Sequence, residues 1–233
     1  MNNLVLYPFL LTIFAGFSTL IGMFLIFFQF KNKNLVISLS MFFAGFVMLF
    51  VSIITLVPES MELLMMKYHF HFSVLLFFTF LVLGIVVSSV IDKFMDDKKV
   101  IDHKLYKVGI ISMLAVILHN IPEGIATFMA GSTNPTLGLH LALAIGLHNI
   151  PEGIAISVPI FYATKSKKKA FFFTFLSALS EPFGALLAFL FLRHVITDVG
   201  MGFLLAFTCG IMIHIALYEL FPTAYKYYNK KDD

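Results

Sequence analysis

Residues 119–124 read His-Asn-Ile-Pro-Glu-Gly, and residues 148–153 read the same hexapeptide. Each copy sets an imidazole, an amide and a carboxylate inside an otherwise apolar stretch, where such groups are costly unless they are paired or bind something. His119 and Glu123 are four residues apart and Asn120 and Glu123 three apart, so on a helix Glu123 neighbours both. His148, Asn149 and Glu152 repeat the pattern. A third acid, Glu181, is followed by Pro182, while Glu123 and Glu152 are preceded by Pro122 and Pro151. A proline inside a helix removes one backbone hydrogen bond, which predicts freed carbonyls at Leu118, Leu147 and Ala178 as further hard oxygen donors.

Single buried Asn, His or Glu residues commonly tie helices together by hydrogen bonds. Two identical hexapeptides and a third Glu-Pro at matching depth exceed that role, because three carboxylates need a counter-charge and no lysine or arginine lies inside these stretches. A divalent cation is the available counter-charge. Imidazole with carboxylate suits Zn²⁺, Fe²⁺, Mn²⁺ or Co²⁺; an oxygen-only set would suit Mg²⁺ or Ca²⁺, and a thiolate or thioether set Cu⁺. The one cysteine, Cys209, excludes an intrachain disulfide and a thiolate cluster, and the 12 methionines are dispersed.

The elements that must hold these groups follow from composition. Hydrophobic residues make up 60% of the chain and charged residues 12%, against roughly 45–50% and 25% in a soluble domain. The expected fold is therefore all-α, a polytopic membrane helix bundle embedded in a lipid bilayer. Seven stretches reach the length of a span, about 20 residues: 4–28, 35–57, 72–91, 108–130, 138–162, 171–192 and 199–223. Alternate loops collect fourteen lysines, including Lys98, Lys99, Lys104 and Lys231, on one side, and only Lys67 and Arg193 on the other. The lysine-rich side is predicted to be cytoplasmic, which puts the N-terminus outside. The net charge of +3 lies in these loops and forms no basic face for nucleic acid.

His119 and His148 fall about ten residues into spans four and five, roughly 15 Å deep. The short connection 131–136 makes those spans antiparallel neighbours, so both donor sets meet near mid-membrane. Outside them, Glu59, Glu62, His69 and His71 fall in a predicted outer loop, 58–71, suited to concentrating cations. His214, Tyr218 and Glu219 share the seventh span as either an access feature or a packing contact. His140, Ser177 and Ser180 are open in the same way.

These motifs resemble the ZIP (Zrt-, Irt-like) divalent-metal transporter family, in its bacterial ZupT-like branch. The resemblance rests on HNIPEGIATF at 119–128, HNIPEGIAIS at 148–157, Glu-Pro-Phe-Gly at 181–184 and GIMIHIALYELFP at 210–222, and extends over nearly the whole chain. It implies a binuclear site, with His119, Glu123, His148 and Glu152 around one metal and Asn120, Glu123, Asn149, Glu152 and Glu181 around the other. Some members carry Asp at the position of Asn149, which implies a weaker second metal here. It also implies import of Zn²⁺, with Fe²⁺, Mn²⁺, Co²⁺ or Cd²⁺ as further substrates, by a multi-pass cell-membrane protein, and a homodimer. The family's eight spans contrast with seven read here, so one domain over 1–233 without the eighth helix is expected. Its cytoplasmic loop is often histidine-rich, whereas this one holds only His103. A membrane-embedded metal hydrolase or oxidase is the alternative, but the chain has no HExxH, no histidine boxes near one membrane face and no nucleophile beside the motifs.

Overall fold

The computed structural model describes residues 3–28, 30–94, 103–192 and 197–230. Lys98, Lys99, Lys231, Arg193 and most of the cytoplasmic connection lie outside the described residues. Seven helices are long and apolar enough to cross a membrane: α1 (Val5–Phe27), α2 (Lys33–Met65), α3 (Phe70–Lys93), α4 (Leu105–Thr133), α5 (Pro135–Thr164), α6 (Lys167–Phe191) and α7 (Asp198–Tyr228). No strand occurs among the described residues. The seven expected spans are thus present, and the chain is a multi-pass membrane protein.

Local chemistry sets several boundaries. Asn134 forms the whole turn between α4 and α5, its side chain accepting from the amides of Thr136 and Leu137 at 3.0 and 3.2 Å. The expected connection 131–136 therefore shrinks to one capping residue. Ser166 opens α6 by accepting from the Lys169 amide at 3.2 Å.

Two helices run farther than their hydropathy predicts. In α2 a π-helical turn, Ser52–Leu56, leads into Val57–Met65 with Pro58 in its first turn. In α7 a second π turn, Ala216–Leu220, leads into Phe221–Tyr228 with Pro222 in its first turn. A proline at a helix start lacks only an amide that would have gone unused there, and the wide turn before it absorbs the change of register. Residues 58–65 are therefore helix and not outer loop. Glu59 and Glu62 ride on α2.

The helices pack as two groups. In one, α1, α4, α5 and α6 lie against one another; in the other, α2, α3 and α7 do so, and the groups meet where α2 runs along α5 and α4 along α7. Backbone approach inside the first group depends on the last residue of each hexapeptide. A Cβ on Gly124 would collide with the Glu181 carbonyl of α6, and one on Gly153 with the Thr19 carbonyl of α1. Each hexapeptide thus supplies both the polar donors and the small residue that lets a third helix close over them.

Candidate metal centre

Six of the seven predicted donors pair across helices, His119 with Glu152, His148 with Glu123 and Asn149 with Glu181, while Asn120 is buried next to His119 in α4 with no side-chain hydrogen bond. His119, Asn120, Asn149 and Glu181 are fully buried, Glu152 and Glu123 nearly so, and His148 is 9% exposed. They come from α4, α5 and α6, with α1 closing the side. The contacts cross between the two motif helices. His119 Nε2 donates to Glu152 Oε1 at 2.7 Å, and His148 Nε2 stands 3.3 Å from one Glu123 oxygen and 3.4 Å from the other. The i, i+4 spacing brings each histidine onto the face of its own glutamate, but the hydrogen bonds go to the glutamate of the other helix.

The asparagines differ. Asn149 Nδ2 donates to the Ala15 carbonyl of α1 and to Glu181 Oε2, both at 2.9 Å. Its Oδ1 has no hydrogen bond, nor do either amide atom of Asn120, His119 Nδ1, Glu152 Oε2 or Glu181 Oε1. With Glu123 Oε1, seven buried polar atoms of these residues have no hydrogen bond, far from the usual rule that buried polar groups are satisfied. All but the Asn120 amide nitrogen are oxygen or imidazole nitrogen atoms of the kind that ligates a divalent ion. Among the described residues no three His, Cys, Asp or Glu groups already stand as a ligand sphere. The histidines are instead held in cross-helix pairs, so a cation that takes His119 Nε2 or His148 Nε2 as ligand must displace a glutamate contact.

The prolines behave unequally. Pro122 and Pro151 sit within unbroken helices, whereas α6 has a break at Leu179, before Ser180 resumes the helix with Glu181 in its first turn. The Ala178 carbonyl, expected to be a free donor, faces Gly16 of α1. None of Leu118, Leu147 or Ala178 lines the cavity beside the site.

That cavity, about 90 Å³, is walled in part by Glu123 and His148 and also by Thr55 and Glu59 of α2. Glu59 is the residue that hydropathy misplaced in the outer loop; the only usable signal was a carboxylate just beyond a span's last apolar run. His69 and His71 are exposed and do not border the cavity. His140 is also exposed, while Ser180 donates to the Ser177 carbonyl at 2.6 Å as a helix-break contact beside Glu181.

The polar set of α7 lies elsewhere. His214 Nδ1 hydrogen-bonds Ser88 Oγ of α3 at 3.0 Å and its ring stacks on Tyr218, 5.0 Å between centroids. Glu219 borders a separate cavity of about 260 Å³ with Lys107 and Lys226. Neither His214 nor Glu219 joins the centre.

A profile described as "ZIP Zinc transporter" matches residues 96–231. The chain is 42% identical over 247 residues to a protein named zinc transporter ZupT from Chlorobaculum parvum, covering 97% of this chain and 91% of the relative. It is 39% identical over 259 residues to that of Clostridium perfringens, covering 97% and 89%, and 40% over 249 residues to that of Lysinibacillus sphaericus, covering 97% and 91%. With repeated donor motifs buried between membrane helices and likeness running through almost its full length, the chain belongs to the ZIP zinc transporter family.

Proposed function

We propose that this chain imports Zn²⁺, accepting Fe²⁺, Mn²⁺, Co²⁺ or Cd²⁺ as well, through a two-metal site of His119, Asn120, Glu123, His148, Asn149, Glu152 and Glu181. Membership of a transporter family makes the chain a divalent-metal transporter and not an enzyme, which sets aside the hydrolase or oxidase alternative. The observation that carries the finer reading is the concentration of unsatisfied nitrogen and oxygen donors around three buried carboxylates.

The histidines, with Glu123 and Glu152, make one position. The asparagines and Glu181, with the same two glutamates, make the other. Asn149 supports this division, since fixing its nitrogen to Ala15 and Glu181 leaves Oδ1, the ligating atom of an amide, free of hydrogen bonds. The relatives' names specify zinc for those proteins; mixed imidazole and carboxylate donors favour the same ion here.

Loading through Nε2 requires that nitrogen to leave its carboxylate partner and present a lone pair, because a ligating imidazole must be neutral and bind through its unprotonated nitrogen. Release reverses this, with at least one of Glu123 and Glu152 taking up a proton to relieve the repulsion of two close carboxylates. The division into two helix groups supports alternating access in which α1, α4, α5 and α6 move against α2, α3 and α7. The lysine count sets the direction, with the N-terminus outside and cargo released on the lysine-rich side. Zn²⁺ uptake into proteoliposomes by the intact chain, abolished in the double variant Glu123→Ala, Glu152→Ala, tests the assignment; undiminished uptake by that variant refutes it.

A further inference from the structure

Two pentapeptides outside the centre share a design. Thr-Leu-Val-Pro-Glu occupies 55–59 of α2 and Glu-Leu-Phe-Pro-Thr occupies 219–223 of α7. Each starts inside a five-residue π turn and meets its proline two residues after the turn ends. Each borders a cavity: Thr55 and Glu59 the one of about 90 Å³, Glu219 and Thr223 the one of about 260 Å³. They lie at opposite ends of the bundle, because α2 runs from the lysine-rich face and α7 toward it. The order of acid and hydroxyl is reversed between them. Lys107 and Lys226 border the cavity of Glu219, but no lysine or arginine borders that of Glu59.

The structure assigns to Glu59 the admission of the cation: its carboxylate takes the ion on the lysine-poor side and passes it across the cavity to Glu123 and His148. This rests on the transport reading above. Of the seven donors only Glu123 and His148 border that cavity, so it reaches the centre through one histidine and one bridging acid. Glu123 is 3% exposed, and its Oε1 makes no hydrogen bond and has only the 3.3 Å approach of His148 Nε2, so a buried carboxylate oxygen with spare capacity belongs to the wall residues. The remaining wall is largely apolar, with Val51, Leu141 and Leu205 among it. An ion crossing it must shed water, and a half-buried carboxylate opposite the buried one replaces part of that hydration. The cavity has room for water beside a cation, so a partly hydrated ion fits it.

Initial rates of Zn²⁺ uptake by the full chain in proteoliposomes test this. Glu59→Gln is expected to raise KM roughly fivefold, the loss of one partly screened charge contact, with the maximal rate within about twofold of the parent. Glu59→Asp should recover most of the KM, and Glu62→Gln, altering the exposed acid one turn along, should leave it unchanged. Zn²⁺ binding to the detergent-purified Glu59→Gln protein by calorimetry should match the parent, since the deep donors are intact. Thr55→Cys offers a second measurement that keeps Glu59: labelling by a membrane-impermeant thiol reagent should be blocked by Zn²⁺ near the KM. A parent that transports while Glu59→Gln keeps its KM, or Thr55→Cys labelling that Zn²⁺ does not slow, overturns the role of Glu59 alone. A parent without uptake overturns the transport reading and this inference with it.

Discussion

The two hexapeptides are identical in sequence and unlike in surroundings. In α4, His119 is sealed from the cavity and makes the short contact to Glu152, while Asn120 has no hydrogen bond at all. In α5, His148 borders the cavity through a longer contact to Glu123, and Asn149 is clamped between the α1 backbone and Glu181. The cause is what each helix packs against. α5 lies along α1, whose Ala15 carbonyl receives the Asn149 amide, and its cavity-side face meets α2. α4 is covered there by α6, drawn close by Gly124 and Gly184. One motif thus presents an accessible histidine and a fixed amide, and its copy a sealed histidine and a free amide.

The largest expected effect falls where the copies should be equivalent. On the proposed two-metal reading, Glu123→Ala and Glu152→Ala each remove a shared ligand, and each strands the other helix's histidine. Each should lower Zn²⁺ uptake by at least about a hundredfold. A clear inequality between them, measured as initial rates, would show that the bridging role is not shared.

The histidines should separate. His119→Ala removes the tighter of the two pairs from the sealed side, and a loss of about a hundredfold in kcat/KM is expected. His148→Ala opens the cavity wall as well as removing a ligand, so about tenfold is expected, mostly in KM, because admission and binding are both touched. Equal losses in both parameters would erase the distinction between a sealed and an accessible copy. For the wild type, uptake should fall as the loading side is acidified, since each imidazole must lose a proton before it ligates. Rates that stay flat from neutral to mildly acidic pH would mean the histidine–glutamate pairs do not open during loading.

How far this arrangement was legible in the chain depends on range. Span number follows from local hydropathy and agrees with the structure, in which His119 and His148 fall near the middle of α4 and α5. The convergence of Glu181 with the motif followed from depth alone. The crossed pairing of each histidine with the opposite glutamate is set by how α4 and α5 dock, which spacing within one helix does not encode. Hydropathy ended the second span at 57 and the seventh at 223, beside Pro58 and just past Pro222. The π turns that carry α2 and α7 past those ends are a tertiary accommodation that hydropathy does not register, and Glu59 lies beyond the first of them. The freed carbonyl expected at Ala178 shows the same limit, since α1 covers it through Gly16.

The asparagines give the smallest effect and the finest distinction. Asn149→Ala deletes two 2.9 Å hydrogen bonds and leaves a Glu181 oxygen and the Ala15 carbonyl buried without a donor. It should therefore lower stability without metal by about 1–3 kcal/mol, read as a drop in the thermal transition of the detergent-solubilised protein. Asn120→Ala deletes no hydrogen bond, and its metal-free transition should stay close to the parent's. Added Zn²⁺ reads the ligand role of Asn120 separately from packing. Whatever binds the folded state raises the transition in proportion to its affinity, so Asn120→Ala should lose part of the Zn²⁺-induced shift that the parent shows. If Asn120→Ala destabilises the metal-free protein as much as Asn149→Ala does, Asn120 is a packing amide like its copy, and the second metal position loses one of its ligands.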